Sequence, residues 1–265
     1  MSVSLMSRGV IKSLFTVTLI LSSGAAVASL QYPIISKDLQ KTTERQYLRQ
    51  EKLQANNLNI IDSSPSFGFD NLIADWMYLQ FIQYFGDTDA RKVTGYQLIS
   101  DYFQEIVERD PRFEGAYMKL STTNTIFAGK PKLTVELLRE SLEHLPPTSE
   151  RGYQLWVYKA TDELLYLNDL QAAKFSYQQA VEWAKQSNDP RSDAIVNYAQ
   201  RMLQFVESNP NTREGRIGAW TIILTTTGQE TVQKRVIEEI EKLGGEVVTT
   251  PDGRIRQVRV KPQNP

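Results

Sequence analysis

One histidine, no cysteine and two close acidic pairs are the first places to look for chemistry in this 265-residue chain. Without cysteine there is no disulfide, no thiol nucleophile and no zinc–thiolate site. A single histidine, His144, excludes metal centres built on two or more His ligands, and with them the H-E-x-x-H proteases. His144 closes the helical run before Leu145-Pro146-Pro147, where a histidine contacts the last helix carbonyls. Asp162-Glu163 reads as a solvated helix face. Asp87 and Asp89 read as a loop, and calcium would need more of the D-x-D-x-D-G pattern than they supply. No G-x-S-x-G, P-loop or G-x-G-x-x-G stretch occurs. The expectation is a protein that is not an enzyme, with no cofactor and no metal.

Charge narrows the partners. The formal net charge is −1, and residues 29–210 hold 19 Lys/Arg against 24 Asp/Glu. Phosphate backbones need a basic excess, so nucleic acid is not an expected partner. What remains is surface, and surface depends on the elements that carry it.

Residues 1–28 carry only Arg8 and Lys12 as charges, then an apolar run from Leu14 to Ala28 ending in Ala26-Val27-Ala28. That is the layout of a signal peptide with an A-x-A cleavage site. The run is about 15 residues, shorter than the roughly 20 of a membrane span. An uncleaved N-terminal anchor is the alternative. Either places the body across a membrane, in a periplasm or a thylakoid lumen. Residues 29–62 are polar without a clear period and read as a linker or a poorly packed helix.

From residue 63 to 210 the pattern is helical and repeats. LISDYFQEIVERDP, LTVELLRESLEHLP and QAAKFSYQQAVEWA align. Ile99, Phe103 and Ile106 in the first correspond to Thr134, Leu138 and Ser141, then to Ala173, Tyr177 and Ala180. The spacing predicts helix pairs over 67–85 with 93–109, 113–128 with 132–144, and 150–167 with 170–187, then a last helix over 190–208. The repeat resembles the tetratricopeptide repeat (TPR) family, a helix–turn–helix unit of about 34 residues. NDLQAAKFSYQQA and the closing VERDP carry the likeness. Gln80 departs from the family's small residue, Gly86–Lys92 is an insertion, and the third copy lacks its closing proline. The resemblance implies a solenoid of helical hairpins whose groove, lined by first helices, binds protein segments. Residues so placed are Asn71, Asp75, Tyr78, Tyr117, Asn124, Tyr153 and Tyr158.

After Asn209-Pro210-Asn211 the composition changes. Ala219–Thr225 is apolar and β-branched and reads as a buried strand. Gly228–Leu243 reads as a helix with Val232, Val236, Ile240 and Leu243 on one stripe. Glu246–Thr250 and Ile255–Val260 read as strands joined at Pro251-Asp252-Gly253-Arg254. The expected fold class is thus mostly α, a TPR-like helical-hairpin solenoid followed by a small α+β (β-α-β-β) unit over 211–265. LGGEV followed by GRIRQVRV resembles, weakly, the SPOR family of peptidoglycan-binding domains. That resemblance implies glycan contact. Arg254, Arg256, Arg259 and Lys261 form a basic hairpin suited to a glycan, an anionic lipid or an acidic partner. A solvated, charge-protected edge is the other reading.

Two functions follow as expectations. The first is a non-catalytic, exported scaffold or assembly factor that binds another protein of the envelope or its membrane. The second is a peptidoglycan binder acting through the C-terminal unit. One stretch bears on the choice, FGFDNLIADWMYLQFIQYFG, from Phe67 to Gly86. Asp75, Gln80 and Gln83 exclude a membrane span. Leu72, Trp76 and Leu79 share one side and Ile73, Met77 and Tyr84 nearly the opposite one. Burial on more than one side is expected. Either residues 29–62 or a partner must cover it.

Overall fold

The computed structural model describes residues 15–29, 43–208, 210–227, 230–250 and 255–260. The chain divides into two compact units, residues 1–49 and 50–265. In the first, residues 15–29 form helix α1. Residues 1–14, and with them Arg8 and Lys12 of the expected signal peptide, lie outside the described residues. Among the described residues, no helix is both long and apolar enough to cross a membrane. Helix α2 (Glu44–Asp62) starts in the first unit and ends in the second.

The second unit is mostly helical. Its helices are α3 (Asp70–Gly86), α4 (Thr88–Thr94), α5 (Ile99–Arg109), α6 (Glu114–Leu120), α7 (Pro131–His144), α8 (Gly152–Asp162), α9 (Leu170–Gln186) and α10 (Ser192–Glu207). Helices α6 and α8 continue as π-helical turns, Ser121–Phe127 and Glu163–Leu167. Helix α3 packs on α5, α5 on α7, α6 on α7 and α8, α7 on α8, α8 on α9 and α9 on α10. The insertion forms α4, which Asp87 caps by accepting from the Ala90 N–H at 3.1 Å. Asp89 pairs with Lys92 at 2.7 Å.

All nine positions of the three aligned triplets are buried. The physical reason is the spacing. Residues at i, i+4 and i+7 stand on one helix face, and that face meets the neighbouring helix. Small residues at Ala173 and Ala180 allow close approach, while Phe103 fills space against Phe81 with ring centroids 4.7 Å apart. Burying one such ring contributes about 1.5–3 kcal/mol.

The C-terminal region corrects one prediction. Residues 219–225 are not a strand but part of helix α11 (Arg213–Thr226). Ile217, Trp220, Ile223 and Leu224 are its buried face, a spacing of three and four that the apolar run alone conceals. The threonine hydroxyls satisfy themselves inside the helix: Thr221 Oγ1 donates to the Ile217 carbonyl at 2.7 Å and Thr225 Oγ1 to that of Thr221 at 3.0 Å. Helix α12 (Glu230–Lys242) buries Val232, Val236 and Ile240 as expected. Strands β1 (Gly245–Thr249) and β2 (Ile255–Val260) pair antiparallel, with Val247 opposite Val258. The region is therefore α-α-β-β. The predicted turn over 251–254 lies outside the described residues.

Gly129, in the loop before α7, lies close to α12. Its φ is +64°, and a Cβ there would lie 2.7 Å from Val232 Cγ1 and from an Arg235 guanidinium nitrogen. Gly129→Ala is therefore expected to cost about 1–3 kcal/mol, from left-handed strain plus overpacking. A urea titration read by circular dichroism measures it. An unchanged midpoint would mean that the loop and α12 do not meet as described.

Candidate partner-binding surface

Helix α3 carries two apolar faces. Ala74, Met77, Phe81 and Tyr84, at intervals of three and four, are buried. Phe69, Leu72, Trp76, Leu79 and Ile82 repeat those intervals on the other side and are exposed. The expectation that 29–62 covers this helix is met in part. Leu58 and Ile61 of α2 join the core beside it. A cavity of about 260 Å³ opens along that edge, with Ile60, Gln54, Trp76 and Gln80 among its lining.

Polar clamps hold α2 there. Glu51 accepts from Arg91, Thr94 and Tyr84, each at 2.9 Å. The Arg91 guanidinium lies 3.5 Å from the Tyr84 ring centroid and also donates to the Gly95 carbonyl at 2.8 Å. Arg109 donates to the Ile61 carbonyl at 2.8 Å and that of Ser64 at 3.2 Å. With its position fixed so, α2 cannot shift to cover the second face of α3 without breaking buried charged contacts, which are costly to leave unmade.

The residues placed in a groove by the repeat resemblance do not share a surface. Asn71 and Asp75 are exposed on α3. Tyr78 is half-buried, its ring 5.1 Å from that of Phe113, and Tyr158 is half-buried against the core. Tyr117, Asn124 and Tyr153 are inside. Each has a local reason. The Tyr117 hydroxyl donates to the Asp110 carbonyl just past the end of α5. The Tyr153 hydroxyl donates to Asp189 at 2.8 Å. Asn124 accepts from Ser100 at 2.7 Å and donates to Thr134 at 3.1 Å. Their polar atoms are already satisfied, so these three do not present a face to a partner.

Asp162 and Glu163 also differ from the expected solvated face, since both are buried. Ser121 Oγ donates to Asp162 at 3.0 Å, and Thr125 Oγ1 lies 2.9 Å from both Asp162 and Thr134. Glu163 pairs with Lys159 and accepts from Ser176 at 2.7 Å. Both π turns meet this network. A π turn holds an extra residue per turn and so changes which side chains face inward. The spacing of 159 and 163 was the only sequence signal, and it fits an exposed i,i+4 pair equally well.

His144 behaves as its position suggests, with Nδ1 2.9 Å from the Glu140 carbonyl and the ring exposed. In the basic hairpin, Arg259 is exposed. Arg254 and Lys261 lie outside the described residues, and only the backbone of Arg256 is described. Among the described residues, Asp62, Glu105 and Glu108 are the acidic trio close enough to share a cation. Glu105 is already engaged by Arg109 at 3.4 Å.

Two buried carboxyls set a pH dependence. Burial raises Asp162 to about 7, against the pull of its hydroxyl donors. Burial, then a hydrogen bond with Asp62, raises Glu105 to about 7 despite Arg109. Both folded values lie above the unfolded ones, so the folded state binds more protons between about pH 4 and 7. Their contribution to stability is full below that window and is lost as pH rises through about 7. Asp189, pulled down by Arg191, acts only at lower pH. The melting temperature is expected to be higher near pH 5.5 than near pH 8.5, and Asp162→Asn should shrink the difference. A melting temperature that falls on acidification across that range would contradict this account.

No protein-family model, no curated protein and no solved structure matches the chain.

Proposed function

We propose that the chain is a non-catalytic scaffold or assembly factor, exported into a periplasm or thylakoid lumen, that binds another protein through a TPR-like array of helical hairpins. The observation that carries this reading is the second apolar face of α3. Five large apolar side chains in one exposed stripe are more than scattered surface hydrophobics, and such patches mark interaction sites. The stripe bears no Lys or Arg, and its polar neighbours Asn71, Asp75 and Gln83 add at most one negative charge. That charge pattern disfavours nucleic acid and an anionic lipid surface, and favours an apolar face of another protein. The pairing of α3 with α5, α6 with α7 and α8 with α9 supports a hairpin array. The apolar run with its A-x-A end supports export.

The test is co-purification of a tagged full-length chain from its native host after gentle crosslinking. One defined partner should be captured with the parent chain and lost with the double variant Trp76→Ala, Leu79→Ala. Capture of nothing, or capture unaffected by those two changes, would remove the reading.

A further inference from the structure

A larger cavity, of about 470 Å³, opens where the Gly129-Lys130 loop and the first turn of α7 meet α11 and α12. That volume lies within the roughly 300–1,000 Å³ of small-molecule sites. One wall is aromatic, with Tyr166 and Trp220 edge to face at 5.3 Å between centroids. Lys130, Lys132, Arg235 and Glu136 also line it. Glu239 does too, but its carboxylate is held by Lys242 at 2.7 Å, from outside the lining. Three cations thus stand against two carboxylates in the lining, an excess of one positive charge. Lys130 is half-buried and donates at 3.4 Å to the Gln97 carbonyl, and it feels the negative charge of Asp101. No ion pair among the described residues engages Lys132 or Arg235.

The loop lies close to α12, so that a Cβ at Gly129 would meet Val232 and Arg235. Apolar lining with a few convergent charges is the usual composition of a site for small organic ligands.

We propose that this cavity binds a small organic anion, with its acidic group facing Lys132, Arg235 and Lys130 and its apolar body against Tyr166 and Trp220. It is separate from the α3 stripe, and the two can succeed or fail independently. Carboxylate and phosphate share the chemistry the cations recognise, so both are tested. The experiment is isothermal titration calorimetry on the full chain with octanoate, with phenyl phosphate, and with inorganic phosphate alone. Saturable binding of octanoate or phenyl phosphate is expected, with a Kd of about 1 mM or tighter. The probe that binds assigns the acidic group. The exposed-residue variants Lys132→Gln and Arg235→Gln should each weaken binding by about tenfold, one decade being a readily measured change, with the melting temperature unchanged. No saturable heat with either organic probe would overturn the proposal. So would binding that both variants leave intact, or inorganic phosphate binding as tightly as phenyl phosphate.

Discussion

Replacing Lys159 with methionine is expected to cost about 3–5 kcal/mol of folding stability, the loss that follows when one member of a buried ion pair is removed. Both side chains are almost wholly inside, at 7% exposure for Lys159 and 4% for Glu163. The methylene stem is replaced by methionine at similar volume, so the packing change is small. What is lost is the charge. Ser176, 2.7 Å from Glu163, would remain as a neutral donor to a carboxylate with no water to replace the ammonium. For a folded unit of this size such a loss lowers the melting temperature by roughly 6–20 °C. The double variant Lys159→Met, Glu163→Leu should recover much of it, because an apolar replacement of the whole pair is often neutral or better. Thermal melts of the two singles and the double decide the matter. Additive losses, or a single variant that melts with the parent, would mean that the pair is not buried as described.

The same pair shows where sequence reading stops. Helix positions were legible because burial repeats at three and four residues, and Ile99-Phe103-Ile106 announces its own buried face. Residues 219–225 failed because β-branched residues suit a strand when read locally. The deciding contact, of Trp220 with Tyr166, is distant in sequence, and tertiary packing overrides propensity. Tyr117 and Tyr153 failed for a related reason. A tyrosine suits an interface or a core, and the difference lies in whether its hydroxyl finds a partner. For Tyr153 that partner is 36 residues away. Asp162 looked solvated because the hydroxyls that receive it, on Ser121 and Thr125, lie 41 and 37 residues earlier. On α3 the sequence showed apolar residues all round but not which side the fold would leave open. Only the positions of α2 and α5 answer that.

Trp76→Ala and Met77→Ala, adjacent on α3, are expected to fail in opposite ways. Trp76 is 55% exposed, while Met77 is 1% exposed. Truncating Met77 opens a cavity beneath the helix and should cost about 2–5 kcal/mol of stability. Truncating Trp76 removes a ring that the isolated chain leaves largely in water, and should change stability by no more than about 0.5 kcal/mol. Its cost appears elsewhere. A tryptophan at the centre of an apolar contact typically contributes about 2–4 kcal/mol to binding, or roughly 30- to 1,000-fold in affinity. Chemical denaturation of both variants, with titration of each against the captured partner, separates the two roles. Met77→Ala should bind normally at temperatures where it remains folded, because its side chain does not reach the exposed stripe. Trp76→Ala should fold as the parent does and bind far more weakly. A Trp76→Ala chain that is destabilised as much as Met77→Ala would place the ring in the core and leave the α3 stripe without its central contact. One that keeps both stability and affinity would remove the α3 stripe as a binding surface, and with it the proposed function.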